Sequence, residues 1–136
     1  VNYVEAIIFI NINIADYLRY CCEMCLNETN KKDIIIETRR CYEAVFQDLN
    51  NYNISIVNPS NIVANYHYSI FLYETVDDRA MAIKLLKNKH QEIINNLDLI
   101  YKAYVDCYDI LDTVTSTLTG WVIENNYGGI NDLNAT

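Results

Sequence analysis

Apolar residues recur along this chain at intervals of three and four, with few breakers between them, and that spacing predicts helices rather than strands. The first helix runs from about Tyr3 to Leu26 and stops in the polar "NETN". Asn30 is placed to cap a second, whose stripe is Ile34, Ile35, Cys41, Tyr42, Val45, Phe46 and Leu49 before "NNYN" ends it. Asn58-Pro59 opens a third that extends to about Glu74, because Asn accepts from the free N–H groups of a first turn and Pro is tolerated there. Asp77 caps the fourth, "DDRAMAIKLLKNKHQEIINNL", with Met81, Leu85, Ile93 and Leu97 facing inward. The fifth spans about Tyr104 to Asn126, and Gly128-Gly129 stops it. The expectation is an all-α, antiparallel helical array over residues 1–127, followed by a flexible C-terminal tail, 128–136. No internal repeat at a tetratricopeptide period is visible, although stacked helix hairpins fit the pattern.

Composition narrows the roles open to such an array. A chain of 136 residues that is 51% hydrophobic is one domain's worth, with material for a real core. A formal charge of −8 disfavours a nucleic acid or an anionic membrane as partner, so any anion site must be local. The apolar run Ala6 to Ile14 is broken by Asn11 and Asn13, is too short to span a bilayer and follows no basic segment. A cytoplasmic protein is expected. The five cysteines are an odd number, and Cys21, Cys22 and Cys25 crowd on one or two turns, which fits a reducing compartment. "CCEMC" lacks a zinc-binding bite, and His67 and His90 are distant, so neither a metal nor a cofactor is expected. Three glycosylation sequons carry no weight in so asparagine-rich a chain. The chain opens on Val1 directly into a helix pattern, as the middle of something longer would.

The chemistry centres on "ADYLRYCCEMC", Ala15 to Cys25. On a helix Asp16 lies three residues before Arg19 and Glu23 four after it, so both carboxylates share the arginine's face and orient its guanidinium, with Tyr20 beside it. An arginine so placed is either a pinned structural ion pair or a prepared anion receptor. On the third helix His67, Ile70, Phe71 and Glu74 share a face, and on the fifth Asp109, Thr113, Ser116, Thr117 and Gly120 form a small polar stripe opposite Ile110, Val114, Leu118 and Trp121.

In this order the residues resemble the C-terminal half of a 14-3-3 protein, from about Phe9 to Trp121. "DYLRY" (Asp16 to Tyr20) is similar to the family's DYYRY, with Glu23 at the place of its following acid. "KKD" and "CYEAVF" (Cys41 to Phe46) resemble KKG and AYQEAF. "SIFLYE" (Ser69 to Glu74), starting ten residues after Pro59, is similar to SVFYYE, "IINNLD" (Ile93 to Asp98) to AIAELD, and "LTGW" (Leu118 to Trp121) to LTLW. The resemblance implies the last five of nine antiparallel helices of an adaptor, not an enzyme. That family forms cup-shaped dimers that bind phosphoserine or phosphothreonine segments of partner proteins in an amphipathic groove. Arg19 and Tyr20 match the arginine and tyrosine that hold the phosphate, and Asp16 and Glu23 become the carboxylates that orient the guanidinium. A planar fork gripping two oxygens, with a phenol as third donor, suits that ligand. Groove residues by the same resemblance are His67, Ile70, Glu74, Thr117 and Trp121.

The departures from the family pattern concern affinity. Two further basic residues of the pocket, and the helices through which homo- or heterodimers form, belong to earlier helices that these 136 residues lack. Arg19 and Tyr20 alone supply roughly 3 to 5 kcal/mol, near the ~4.1 kcal/mol of a millimolar Kd. His67 and Thr117 replace two asparagines that clamp the peptide backbone. Asp109, Thr113 and Gly120 replace leucines of the apolar wall, and Ile12 replaces a lysine. A second reading therefore keeps the fold as a phosphate-independent interaction scaffold, which Asp109 favours by repelling an acidic ligand. A third, an enzyme using the cysteines or His67 with Glu74, lacks an activating base or positive field beside the thiols.

Overall fold

In the computed structural model, which describes residues 3–103 and 107–125, six α-helices and one π-helical turn account for the regular structure. They are α1 (Tyr3–Met24), α2 (Glu28–Asn51), α3 (Pro59–Ile70) running into the π turn Phe71–Thr75, α4 (Arg79–Asn95), α5 (Leu97–Ala103) and α6 (Cys107–Glu124). The all-α expectation holds. The expected helix start at Tyr104, the Gly128-Gly129 stop and the 128–136 tail lie outside the described residues.

Four details differ from the sequence reading, one of them that Met81, expected to face inward on the fourth helix, is exposed. Asn27, not Asn30, caps α2: its side chain accepts from the N–H groups of Thr29 and Asn30, and its extended backbone (φ −91, ψ 116) suits the role. Asp78, not Asp77, caps α4 by accepting from Met81 N–H, while Asp77 takes a left-handed conformation (φ 62) that closes the preceding turn. Between α4 and the last helix the chain forms a separate short helix, α5, which the periodicity did not predict.

Short connections make consecutive helices neighbours: α1 packs on α2 and α3 on α4, while α3 also touches α1, α2 and α6. Ile8, Ile12, Ala15, Arg19 and Cys22 are all buried at intervals of four and three, so one continuous seam of α1 faces the array. Ile8 and Ile12 pack with Val45, Leu49 and Ala64, and a larger cluster joins Tyr42, Ile62, Phe71, Leu86, Ile93, Val114 and Trp121. Each fully covered aliphatic or aromatic side chain contributes about 1.5 to 3 kcal/mol. The opposite edge of α1 carries exposed Tyr3, Ile10, Ile14, Tyr17 and Met24.

Polar contacts fasten the ends. Asn58, which caps α3 through Ser60 N–H, also donates to Glu5 at 3.0 Å and so ties the start of α3 to the start of α1. Lys89 is buried, and its ammonium reaches Asn61 Oδ1 (3.0 Å), the Ile56 carbonyl (3.2 Å) and Glu92 (2.7 Å), pinning the loop before α3 onto α4. These contacts satisfy a charge that would be costly to bury alone.

Candidate functional site

Arg19 falls on the buried seam of α1, and that position explains its environment. It keeps 7% of its surface and Asp16 keeps 6%, so the pair sits where α1 meets α2 and α3 rather than on an open wall. Arg19 Nη2 lies 3.9 Å from Asp16 Oδ1. The other contacts to that carboxylate are shorter: Tyr42 of α2 donates to Oδ1 at 2.5 Å, and His67 Nδ1 of α3 lies 2.7 Å from Oδ2. Three helices thus converge on one acidic group, and it is occupied chiefly by donors other than the arginine. Arg19 Nε is buried without a hydrogen-bond partner.

The electrostatics reflect this crowding. Burial, then the Asp16 carboxylate, push the Tyr42 phenol far above its ordinary range, so it remains a neutral donor. Burial disfavours the Arg19 charge, but the oxygens of Tyr42, Asp16 and Tyr20 outweigh it, and the guanidinium pKa lies above its usual value. The guanidinium carbon also sits 4.7 Å from the Tyr20 ring centre, a cation–π contact on the exposed side of the helix. The result is a fixed cation with one nitrogen unpaired, flanked by a half-exposed phenol. Glu23, expected as the second orienting carboxylate, is exposed and makes no ion pair with Arg19.

The groove residues divide. Tyr66 links α3 to α6 through its hydroxyl, 3.0 Å from Thr117 Oγ1, and its ring lies against His67 with centres 5.8 Å apart. Arg19, Asp16, His67, Tyr66 and Thr117 therefore form one chain of contacts across α1, α3 and α6. Ile70 is half-buried, but Phe71 turns fully into the core. The segment then widens into the π turn, in which Glu74 is exposed. Trp121 is buried against Tyr73, ring centres 4.2 Å apart and planes 4° from parallel. Tyr73 in turn donates to Glu124 (2.7 Å), and Arg79 reaches both Glu124 and the Tyr73 ring face. On α6 Asp109, Thr113 and Gly120 are exposed, and a Cβ at Gly120 would meet nothing within 4 Å.

Two participants were not singled out from sequence as site residues, Tyr42 and Tyr66. Both are tyrosines on otherwise apolar faces, where the hydroxyl demands a partner once the ring is buried. Other chemistry finds little support. Cys21, Cys22, Cys25 and Cys41 are free thiols; burial raises the pKa of Cys22, and burial with nearby Glu37 raises that of Cys41, which keeps both protonated. Among the described residues no His, Cys, Asp and Glu side chains cluster to hold a metal, and no helix is long and apolar enough to cross a membrane.

A profile of the family described as 14-3-3 protein matches residues 2–122. The chain is 28% identical over 121 residues to 14-3-3 protein homolog 2 of Schistosoma mansoni, covering 88% of this chain and 55% of that protein. It is 25% identical over 111 residues to human 14-3-3 protein theta, covering 81% and 44%, and 24% identical over 115 residues to 14-3-3 protein zeta of Bombyx mori, covering 84% and 46%. The chain spans about half the length of the curated relatives it matches.

Proposed function

The chain belongs to the 14-3-3 family, and from that premise we propose that it is a divergent adaptor that binds phosphoserine or phosphothreonine segments of partner proteins, with Arg19 and Tyr20 as phosphate ligands. The observation that carries this reading is the Arg19 guanidinium. Its Nη2 lies 3.9 Å from Asp16 with no short ion pair, and its carbon lies 4.7 Å from the half-exposed Tyr20 ring; the unpaired Nε is buried and is not the nitrogen a ligand would reach. A structural arginine buried for stability alone would satisfy its donors in short, paired contacts. His67, Ile70 and Thr117 form the adjoining peptide surface, with Glu74 and Trp121 at its far end. Residues 1–127 are the helical domain in this reading and 128–136 its tail; the adaptor acts without catalysis, in the cytoplasm, and dimerises through upstream helices.

One observation favours the alternative, a scaffold indifferent to phosphate. Asp109, Thr113 and Gly120 present a carboxylate and small groups on the exposed side of α6, which offers an acidic peptide repulsion instead of apolar cover. NMR titration of the labelled chain with a serine-phosphorylated peptide and its unphosphorylated twin separates the two readings. The adaptor gives shifts at Arg19, Tyr20 and His67 with the phosphorylated peptide alone, at a Kd near the ~1 mM set by two contacts. Arg19→Lys keeps the charge opposite Asp16 but loses the planar fork, and it should weaken binding severalfold or more. Equal binding of both peptides supports the scaffold.

A further inference from the structure

Asp16 and Arg19 carry opposite charges side by side, so with a neutral imidazole the three-helix junction offers an incoming anion no net charge. His67 changes that sum. Its Nδ1 lies 2.7 Å from Asp16 Oδ2, and because a carboxylate accepts, Nδ1 carries a hydrogen. The remaining ring nitrogen, Nε2, is then the one that can take up a second proton. Among the described residues Nε2 has no hydrogen-bond partner, and the side chain is 30% exposed, enough for a ligand to reach it. Unprotonated, Nε2 presents a lone pair that repels an oxyanion. Protonated, it is an N–H donor, and the junction carries one net positive charge.

We propose that His67 is itself a ligand of the phosphate bound at Arg19, and that binding of the phosphate dianion draws a proton from solvent onto Nε2. This rests on the phosphopeptide reading above and adds a second charged donor from α3. The surroundings leave His67 that role. α1 contributes the opposed pair Asp16 and Arg19, and α2 contributes Tyr42, whose phenol stays neutral. The acids of the π turn and α6, Glu74, Asp109, Asp112 and Glu124, are all exposed, while Thr117 of α6 is neutral and bonded to Tyr66. On α4 the cation Lys89 is engaged with Glu92 and Asn61 at the other end of α3. The ligand class is thus a dianionic phosphate ester, preferred over a carboxylate because it can use both the guanidinium and the imidazolium.

The test titrates a serine-phosphorylated peptide and its unphosphorylated twin into the wild-type chain, His67→Asn and Arg19→Lys across neutral pH. His67→Asn keeps an N–H donor for Asp16 but has no Nε2 to protonate. Wild-type affinity should fall about tenfold more than that of His67→Asn on going from mildly acidic to mildly alkaline pH, and saturating phosphopeptide should raise the His67 ring titration by about one unit. Phosphate's own second ionisation, near pH 6, acts equally on both proteins and cancels in the comparison. Superimposable profiles, with the ring titration unmoved, overturn the role of His67, and the Arg19 reading survives if Arg19→Lys still loses binding. Equal binding of the two peptides overturns both. If His67→Asn fails to fold, the wild-type ring titration decides alone.

Discussion

The Tyr42 hydroxyl donates to Asp16 Oδ1 across 2.5 Å, well inside the 3.9 Å that separates the same oxygen from Arg19. The carboxylate is therefore an anchor for α2 and α3 first and a counter-ion for the arginine second.

Asp16→Asn keeps an oxygen for Tyr42 but leaves Arg19 as a buried cation without its compensating charge. It should cost about 3 to 5 kcal/mol of stability. Tyr42→Phe removes one neutral donor and should cost about 1 to 3 kcal/mol. Urea unfolding of the two variants measures both, and equal losses would contradict this ranking.

His90 sets a pH dependence. Its Nε2 lies 3.2 Å from Thr115 Oγ1 of α6, and burial pushes its pKa below the ordinary 6.5. The fold holds the neutral ring, so as pH falls the unfolded chain takes up the proton first. This contribution is whole above pH 6.5 and is lost as pH drops from there toward the lowered native value. Thermal melts of His90→Gln should show a shallower decline below that pH than wild type.

Gly120 lies inside α6 with open space where a Cβ would stand. Gly120→Ala should raise stability by about 0.5 to 1 kcal/mol, because it removes backbone freedom from the unfolded chain without a clash. Gly120→Leu restores an apolar side chain to the exposed stripe. In the same NMR titration it should strengthen peptide binding, and an unchanged Kd would place α6 outside the ligand's path.

Asn27→Ala removes the acceptor shared by Thr29 and Asn30 N–H at the head of α2 and should cost about 1 kcal/mol. Asn30→Ala should cost far less, since that residue takes part only by donating its backbone N–H to Asn27. Thermal denaturation distinguishes them.

Helix positions were legible because α1 to α4 bury apolar residues at regular spacing and α2 to α4 begin on Asn or Asp caps. The choice between Asn27 and Asn30, or Asp77 and Asp78, was not, because each pair offers the same side chain and backbone dihedrals decide. The π turn has no signature in periodicity. Local spacing also put Glu23 and Asp16 on equal terms around Arg19. The array broke that equality by burying Asp16 and leaving Glu23 in water. The contacts that shape the site, Tyr42 and His67 on Asp16, join residues 26 and 51 positions apart, and no local pattern encodes them.

Trp121 is the sole tryptophan among twelve tyrosines, stacked on Tyr73 and covered by the seam between α6 and the π turn. Nature has placed one indole fluorophore at the point where the last described helix is bolted to the rest. Its emission reports the separation of that seam without any label, and excitation transferred from the tyrosines reports the compactness of the whole array in the same spectrum.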